Sequence, residues 1–515
     1  MGAVSVGVAQ AEREERVRAR SRNRRAKIEA RRELRKQSRR LGMSVPTGVA
    51  SGNGICPFET TEEERAARQE ASTVQMDTFR RLWPTLARRL TKIPDLRRTK
   101  SITHVHSVLM LYGILMFVFQ QSSRREANRE LTKPQFRENV RLWFPEIEKL
   151  PHQDTLNRVL GETEPSEIEA ALVELIGELV RKKKFARYLV EQCYPICMDG
   201  TQKLKSNELV SAEWLTRTIH KADGSEEQHY VYVLEVSLAF RNGMTLPVLS
   251  EFLTYDGGSD ESKQDCEQRA FHRAAERLKK AFPRLPILVL LDGLYANGPV
   301  MAACRRYGWQ YMIVLKDGCL KSVWEEVAGL KRITRGNILS MIWGGRRQHF
   351  TWINEISYGY DDRGKQRWLT VHVVECEESW EQWDAKAGQI VTRRARHAWL
   401  SSAPLTRDNV HERCNLGARH RWLIEEGILA EKHHGYHYEH RYSEDWNAMR
   451  GYHYLMRIGH LINVLVWYSA KLSTLARRLG VRGFLALVWT TLLGPWLDAE
   501  AIQANRTTPG QLRLI

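Results

Sequence analysis

Cysteine is scarce in this chain: there are eight in 515 residues, and only Cys193 and Cys197 lie close together. A lone Cys-x3-Cys lacks the second pair or the histidines of a zinc site. Eight scattered thiols are also not the framework of a disulfide-stapled secreted domain. They read as reduced thiols of a cytosolic protein, mostly serving as small buried apolar side chains. Long apolar runs are missing too. Val108–Phe119 and Gly483–Leu497 are the longest, and both fall short of the ~20 residues that cross a bilayer, so core helices are expected there. Met1–Gln10 is mildly apolar with the charges after it, unlike a secretion signal. No Gly-x4-Gly-Lys-Ser/Thr loop supports an ATP-driven mechanism, and the hydrolase motifs Gly-x-Ser-x-Gly and His-Glu-x2-His are absent. There is no internal repeat.

What the chain does have is core-forming capacity and positive charge. At 43% hydrophobic and 27% charged it is ordinary globular material with room for several domains. Lys and Arg number 79 against 61 Asp and Glu, a net of +18, which favours a polyanionic partner. The excess is concentrated. Ala11–Arg40 carries twelve Arg and two Lys against five Glu, a net of +9, with no apolar stripe to pack it. Residues 1–42 therefore read as a basic arm, with Arg24 and Arg25 at its centre, either simply solvated or gripping phosphates through counterion release.

Residues 43–60, rich in Gly, Ser and Pro, read as a linker. Residues 61–185 read as helical, with breaks at Pro134 and Pro145 and an apparent capping box of Ser166 and Glu169. The period then changes. Tyr194–Asp199, Tyr230–Ala239 and Thr245–Thr254 have strand composition, with a turn at Arg241-Asn242-Gly243. A helix over Glu261–Phe282, a buried strand Pro286–Leu291, a helix Gly298–Arg306 and a strand Trp309–Leu315 complete an α/β alternation across residues 186–335. Residues 336–402 return to short strands, with a hairpin around Tyr360–Gly364. Helices resume over 403–468 and 469–515.

Two aspartates stand out by position. Asp199 closes the strand Ile196-Cys197-Met198, and Asp292 closes Ile287–Leu291; each is followed by Gly, which reads as a tight turn leaving a carboxylate at the strand's carboxyl edge, where open α/β sheets bind ligands. Two carboxylates brought together there need a cation, and hard oxygen donors suit Mg²⁺ or Mn²⁺. A plain turn is the alternative for either one. A third element lies downstream. Arg421, Glu425 and Lys432 fall within ~40° of one another on a helix, while Glu426 points away. They form either a surface ion pair or a carboxylate flanked by phosphate-binding cations.

These residues, taken in order, resemble the DDE transposases of bacterial insertion sequences, in particular the group with a Tyr-x2-Arg-x3-Glu-x6-Lys signature. Arg421, Glu425 and Lys432 match its last three positions, and Ala418 stands where the tyrosine would be. Met198-Asp199-Gly200-Thr201 and Leu291-Asp292-Gly293 match in the same order, and the resemblance spans about residues 150–468. It implies an α/β, ribonuclease-H-like catalytic core with a β-rich insertion between the second aspartate and the glutamate, which are separated by 132 residues. It further implies that Asp199, Asp292 and Glu425 are catalytic and hold two Mg²⁺ ions per site, with Mn²⁺ also supporting activity, while Arg421 and Lys432 hold phosphates. No organic cofactor is implied. The partners would be terminal inverted repeats and target DNA, bound by a homodimer in the bacterial cytoplasm beside the nucleoid, with no membrane. Helices upstream of about Leu160 would read the repeat. Some such enzymes form a hairpin and flip a base onto a tryptophan of the insertion, where this chain has Trp343, Trp352 and Trp368.

Other basic and polar clusters fit the same partner. Arg346-Arg347 and Arg393-Arg394 add charge to the insertion and suit backbone contacts, or are ordinary solvated residues. His433, His434, His437 and His440, interleaved with Tyr436 and Tyr438, are a weak zinc candidate and a better fit to phosphates and bases. The competing readings are a ribonuclease-H-like nuclease without strand transfer, a catalytically inactive DNA-binding descendant, and a basic RNA scaffold.

Overall fold

The computed structural model describes Arg22, Ala26, Glu29 and residues 56–98, 102–221, 224–254, 266–384, 388–506 and 511–515. Arg24, Arg25 and most of the basic arm lie outside the described residues, as does most of the linker. Contacts divide the chain into two units. The larger is built on Thr47–Leu291, Ala303–Trp309 and Arg419–Ile515, the smaller on Asp292–Ala302 and Gln310–Ala418. No helix among the described residues is long and apolar enough to cross a membrane.

The larger unit opens with helices α1 (Thr61–Leu90), α2 (His106–Val118), α3 (Arg124–Leu131), α4 (Pro134–Arg141), α5 (Gln153–Glu162) and α6 (Pro165–Arg181). α1 starts cleanly because the Thr60 side chain accepts from the Glu63 amide while the Glu63 carboxylate accepts from the Glu59 amide. Pro134 occupies the first turn of α4, where its missing N–H costs nothing. The expected capping box at α6 is not formed. Glu164 caps that helix instead, and Glu169 turns inward to accept from the Ser250 amide and pair with Arg277.

A mixed sheet follows: β1 (Tyr194–Ser206), β2 (Leu215–Lys221), β3 (Gly224–Ala239) and β4 (Thr245–Leu253), then α7 (Glu267–Ala281) and β5 (Ile287–Leu291). β3 pairs antiparallel with β1, β2 and β4, and β5 runs parallel to β1. The all-apolar β5 is buried along its whole length, as a parallel strand covered on both faces must be. Gly243, at φ +88°, makes the predicted β3–β4 turn. β1, however, does not end at Asp199: it runs seven residues further, so Asp199 lies mid-strand and Gly200 makes no turn.

α8 (Gly298–Tyr307) carries the chain across both units. In the smaller one, β6 (Gln310–Val314), α9 (Lys321–Lys331), β7 (Ile338–Trp343), β8 (Arg346–Asp362), β9 (Lys365–Asp384) and β10 (Gln389–Ser401) form an antiparallel sheet in the order β6-β10-β9-β8-β7. Three of these strands are 13–20 residues long, not the short strands expected. Two-residue turns set the register: Gly344-Gly345 and Arg363-Gly364 all have positive φ, matching the twist of the hairpins they join. The second is the hairpin expected from sequence.

Helices close the larger unit: α10 (Leu423–His433), α11 (Trp446–Trp467), α12 (Ser473–Leu493) and α13 (Ala499–Arg506). α11 is its central pillar, buried almost all round. Gly113 and Gly459 let it approach α2 closely, for a Cβ on either would lie 2.6–2.8 Å from Leu455 or Phe117.

Candidate active site

The chain reaches α10 through a tight 3₁₀ turn, Ala418–Trp422, and Arg421 sits in that turn rather than on the α-helix itself. Its guanidinium bridges two carboxylates. Nη2 donates to Glu425 Oε1 at 2.6 Å, and Nη1 lies 3.8 Å from Asp199 Oδ2 on β1. Burial works against the arginine's charge, but the Glu425 hydrogen bond and the charges of Glu425 and Asp199 hold it more firmly protonated than usual. Asp199 is also fixed by its own strand, since Oδ1 accepts from the Gly200 amide at 3.0 Å. Lys432, at the far end of α10, donates to the Gln202 carbonyl at 3.1 Å and pairs with Glu439 at 3.0 Å. The predicted Arg–Glu–Lys face thus meets β1 at Asp199 and at Gln202, and Lys432 is engaged rather than free.

Beneath this face lies a buried ionic network that sequence reasoning missed. Glu235 on β3 stands directly opposite Asp199 in the β1–β3 register, so their side chains share a face of the sheet. Two like charges there would repel. Arg457 of α11 compensates, donating to both carboxylate oxygens of Glu431 on α10 at 2.9–3.1 Å while its Nη2 stands 3.1 Å from Glu235. His460 adds a 2.6 Å bond to Glu431, and Ser250 and Tyr438 donate to Glu235 at 2.6 and 2.7 Å. Lys203, pushed down to about 8 chiefly by burial, donates to the Tyr438 carbonyl. The network ties the Glu425 helix to the Asp199 strand. The signal was present in the sequence, as charged residues inside apolar runs: Glu235 within Val231–Ala239, and Arg457 and His460 within Leu455–Trp467.

Gly200 has a packing reason of its own. A Cβ there would come within 2.5 Å of Glu267 and 2.7 Å of Tyr232, whose hydroxyl donates to the Glu267 carboxylate at 2.7 Å. Glu267, in the first turn of α7, is thus a further carboxylate next to the Asp199 strand. Tyr436 and Tyr438 are fully buried core residues, and among the described residues the histidines around them are not part of any group of three or more metal-binding side chains. Tyr438 spends its hydroxyl on Glu235, so the aromatic interleaving is not a base-stacking surface.

In the smaller unit, Asp292 leaves the end of β5 as predicted and caps the 3₁₀ turn Gly293–Tyr295, accepting from the Leu294 amide at 2.9 Å. Lys316, unnoticed in the sequence, lies across Gly293 with its ammonium 3.7 Å from the Asp292 carboxylate. Of the four insertion arginines, Arg346 pairs with buried Glu378 at 2.6 Å and Arg393 with Asp384 at 2.7 Å. Arg347 and Arg394 point outward. Trp352 is 3% exposed and belongs to the core, whereas Trp368 is 64% exposed.

Among the described residues no group of three or more His, Cys, Asp or Glu side chains is assembled that could hold a metal ion. Asp199 and Glu425 are partly exposed carboxylates, oxygen donors of the kind a hard divalent cation takes, and the Arg421 guanidinium stands between them. No curated protein matches the chain. Residues 87–176, from the end of α1 through most of α6, match the family model described as DDE_Tnp_1-associated, which supports a transposase of the DDE family.

Proposed function

We propose that this chain is a metal-dependent cut-and-paste DDE transposase with a ribonuclease-H-like core, acting at the terminal inverted repeats of a mobile element. The observation that carries the reading is Arg421 spanning Asp199 and Glu425, two members of the expected acidic trio, from the turn that leads into the helix of the second. The third, Asp292, follows the strand that runs parallel beside that of Asp199.

In this reading a water oxygen attacks the phosphorus at the element's end. The P–O3′ bond breaks, and the freed 3′-hydroxyl then attacks a target phosphodiester, displacing the target's own 3′ oxygen. Divalent metal held by Asp199, Asp292 and Glu425 would activate the water and steady the leaving oxygen. Arg421 exchanges its carboxylate partners for a phosphate oxygen as DNA enters, with bidentate geometry suited to both. Lys432 reaches DNA by giving up Glu439 while keeping its hold on β1. If the reaction passes through a hairpin, Trp368, 64% exposed, is a tryptophan of the insertion that an unstacked base could reach. Helices of residues 61–185, upstream of about Leu160, read the repeat, and a homodimer cuts both ends.

Strand transfer separates this reading from a nuclease. A repeat end with a free 3′-hydroxyl, incubated with the protein, Mg²⁺ and a supercoiled plasmid, should become covalently joined to the plasmid. Plasmid nicking without joining would support a nuclease instead.

A further inference from the structure

The smaller unit's sheet sorts the insertion's arginines into two sets that differ in their partners. Both Arg-Arg dipeptides lie within strands, Arg346-Arg347 in β8 and Arg393-Arg394 in β10, so the alternation of side chains sends one member of each pair to either face. The members on one face are engaged in ion pairs. Arg346 is held by Glu378 and lies 4.0 Å from the Trp380 ring centre, and Arg393 pairs with Asp384.

The outward members meet. Arg347 and Arg394 are both in register with Ser379 of β9, one from each side, forming a row that continues into Ile342 of β7. Strand spacing puts their Cα atoms ~10 Å apart, within reach of one phosphate group or two neighbouring ones. Among the described residues neither guanidinium has a hydrogen-bond or ion-pair partner, and the Ser379 hydroxyl between them is likewise uncommitted. The row lines an open cleft of about 780 Å³. The next row has a different composition: His349 is bound to Ser340, Arg396 is committed to Glu375 and Asp317, and Glu377 lies between them. A carboxylate there repels a polyanion and confines it to the arginine row.

We propose that Arg347, Ser379 and Arg394 form a phosphate clamp that grips the sugar-phosphate backbone of DNA on this face, with Glu377 setting its boundary. The clamp rests on the transposase reading only for the identity of the polyanion. Two guanidiniums and a hydroxyl match phosphodiester oxygens and carry no base-reading geometry, so the contact positions DNA without specifying sequence.

The test measures binding of the full chain to fluorescent duplex and single-stranded DNA of arbitrary sequence across a salt series. The double variant R347A/R394A should weaken binding uniformly across sequences and lower the slope of log K against log salt by about 2 for the form of DNA the clamp holds, with an unchanged melting temperature. R347K/R394K should keep the slope while losing part of the affinity, and Glu377→Gln should tighten binding. Unchanged affinity and slope on both DNA forms in R347A/R394A would overturn the clamp. Cleavage at a repeat end is scored in parallel. Wild-type protein that never cleaves while the variant loses slope would sink the transposase reading and leave the clamp, and the reverse pair of results would do the opposite.

Discussion

At the scale of single residues, Arg421 and its neighbour His420 show how one turn does two jobs. Arg421 faces the carboxylates, while His420 is buried behind it and its carbonyl faces the Cys197 thiol at 4.0 Å. Burial pushes the His420 imidazole down to about 4, so the folded protein keeps it neutral where an unfolded chain would protonate it. A histidine depressed in the fold binds fewer protons than in the unfolded chain between its two pKa values, so stability falls as pH drops from about 6.5 towards 4, at up to ~1.4 kcal/mol per unit. Urea midpoints recorded from pH 7 to pH 5 should therefore decline, and His420→Leu should flatten that decline. A variant with the same slope as the parent would show that His420 does not set it.

At the scale of elements, α10 is held by buried apolar residues, Leu423, Ile424 and Ile428, and by buried charge that links it to α11 and β3. Arg457, 2% exposed, is the cation that pairs with both Glu235 and Glu431, and Glu235 stands opposite Asp199 on the neighbouring strand. Arg457→Met would leave two carboxylates buried without their cation, at a cost of about 3–5 kcal/mol. Thermal melts should show a large drop, only partly recovered by Arg457→Lys, which keeps the charge but cannot fork to both acids. A loss below about 1 kcal/mol would mean the network contributes little. The sequence made the α/β alternation, the strand before each aspartate and the Arg363-Gly364 hairpin legible, because apolar runs and turn residues are local signals. It misread Gly200 as a turn residue. That glycine is required by Glu267 and Tyr232, which come from 67 and 32 residues away and leave no trace in the local pattern. Glu169 was misread for the same reason: a cap-like spacing concealed a partnership with Arg277 on another helix. The length of β8 and β9 was obscured by polar alternation broken at a bulge between Ile353 and Ile356.

At the scale of the whole molecule, a net charge of +18 is divided between the arginine-rich N-terminal segment, outside the described residues, and scattered cations, many already paired. The free outward arginines of the insertion matter for that reason, since charge bound to Glu378 or Asp384 cannot release counterions from DNA. The DDE_Tnp_1-associated match lies on helices of the larger unit and the arginine row on the smaller. The central claim, however, is chemical: three carboxylates support metal-dependent cleavage at an element's end. The most direct measurement uses a labelled duplex carrying the inverted repeat that flanks this gene, incubated with wild-type protein in Mg²⁺, in EDTA, and with Asp292→Ala in Mg²⁺. Nicking at the repeat's end is expected with wild type in Mg²⁺ alone, and Asp292→Ala should bind the duplex but leave it intact. Tight binding without cleavage in any divalent metal, or equal cleavage by Asp292→Ala, would contradict it.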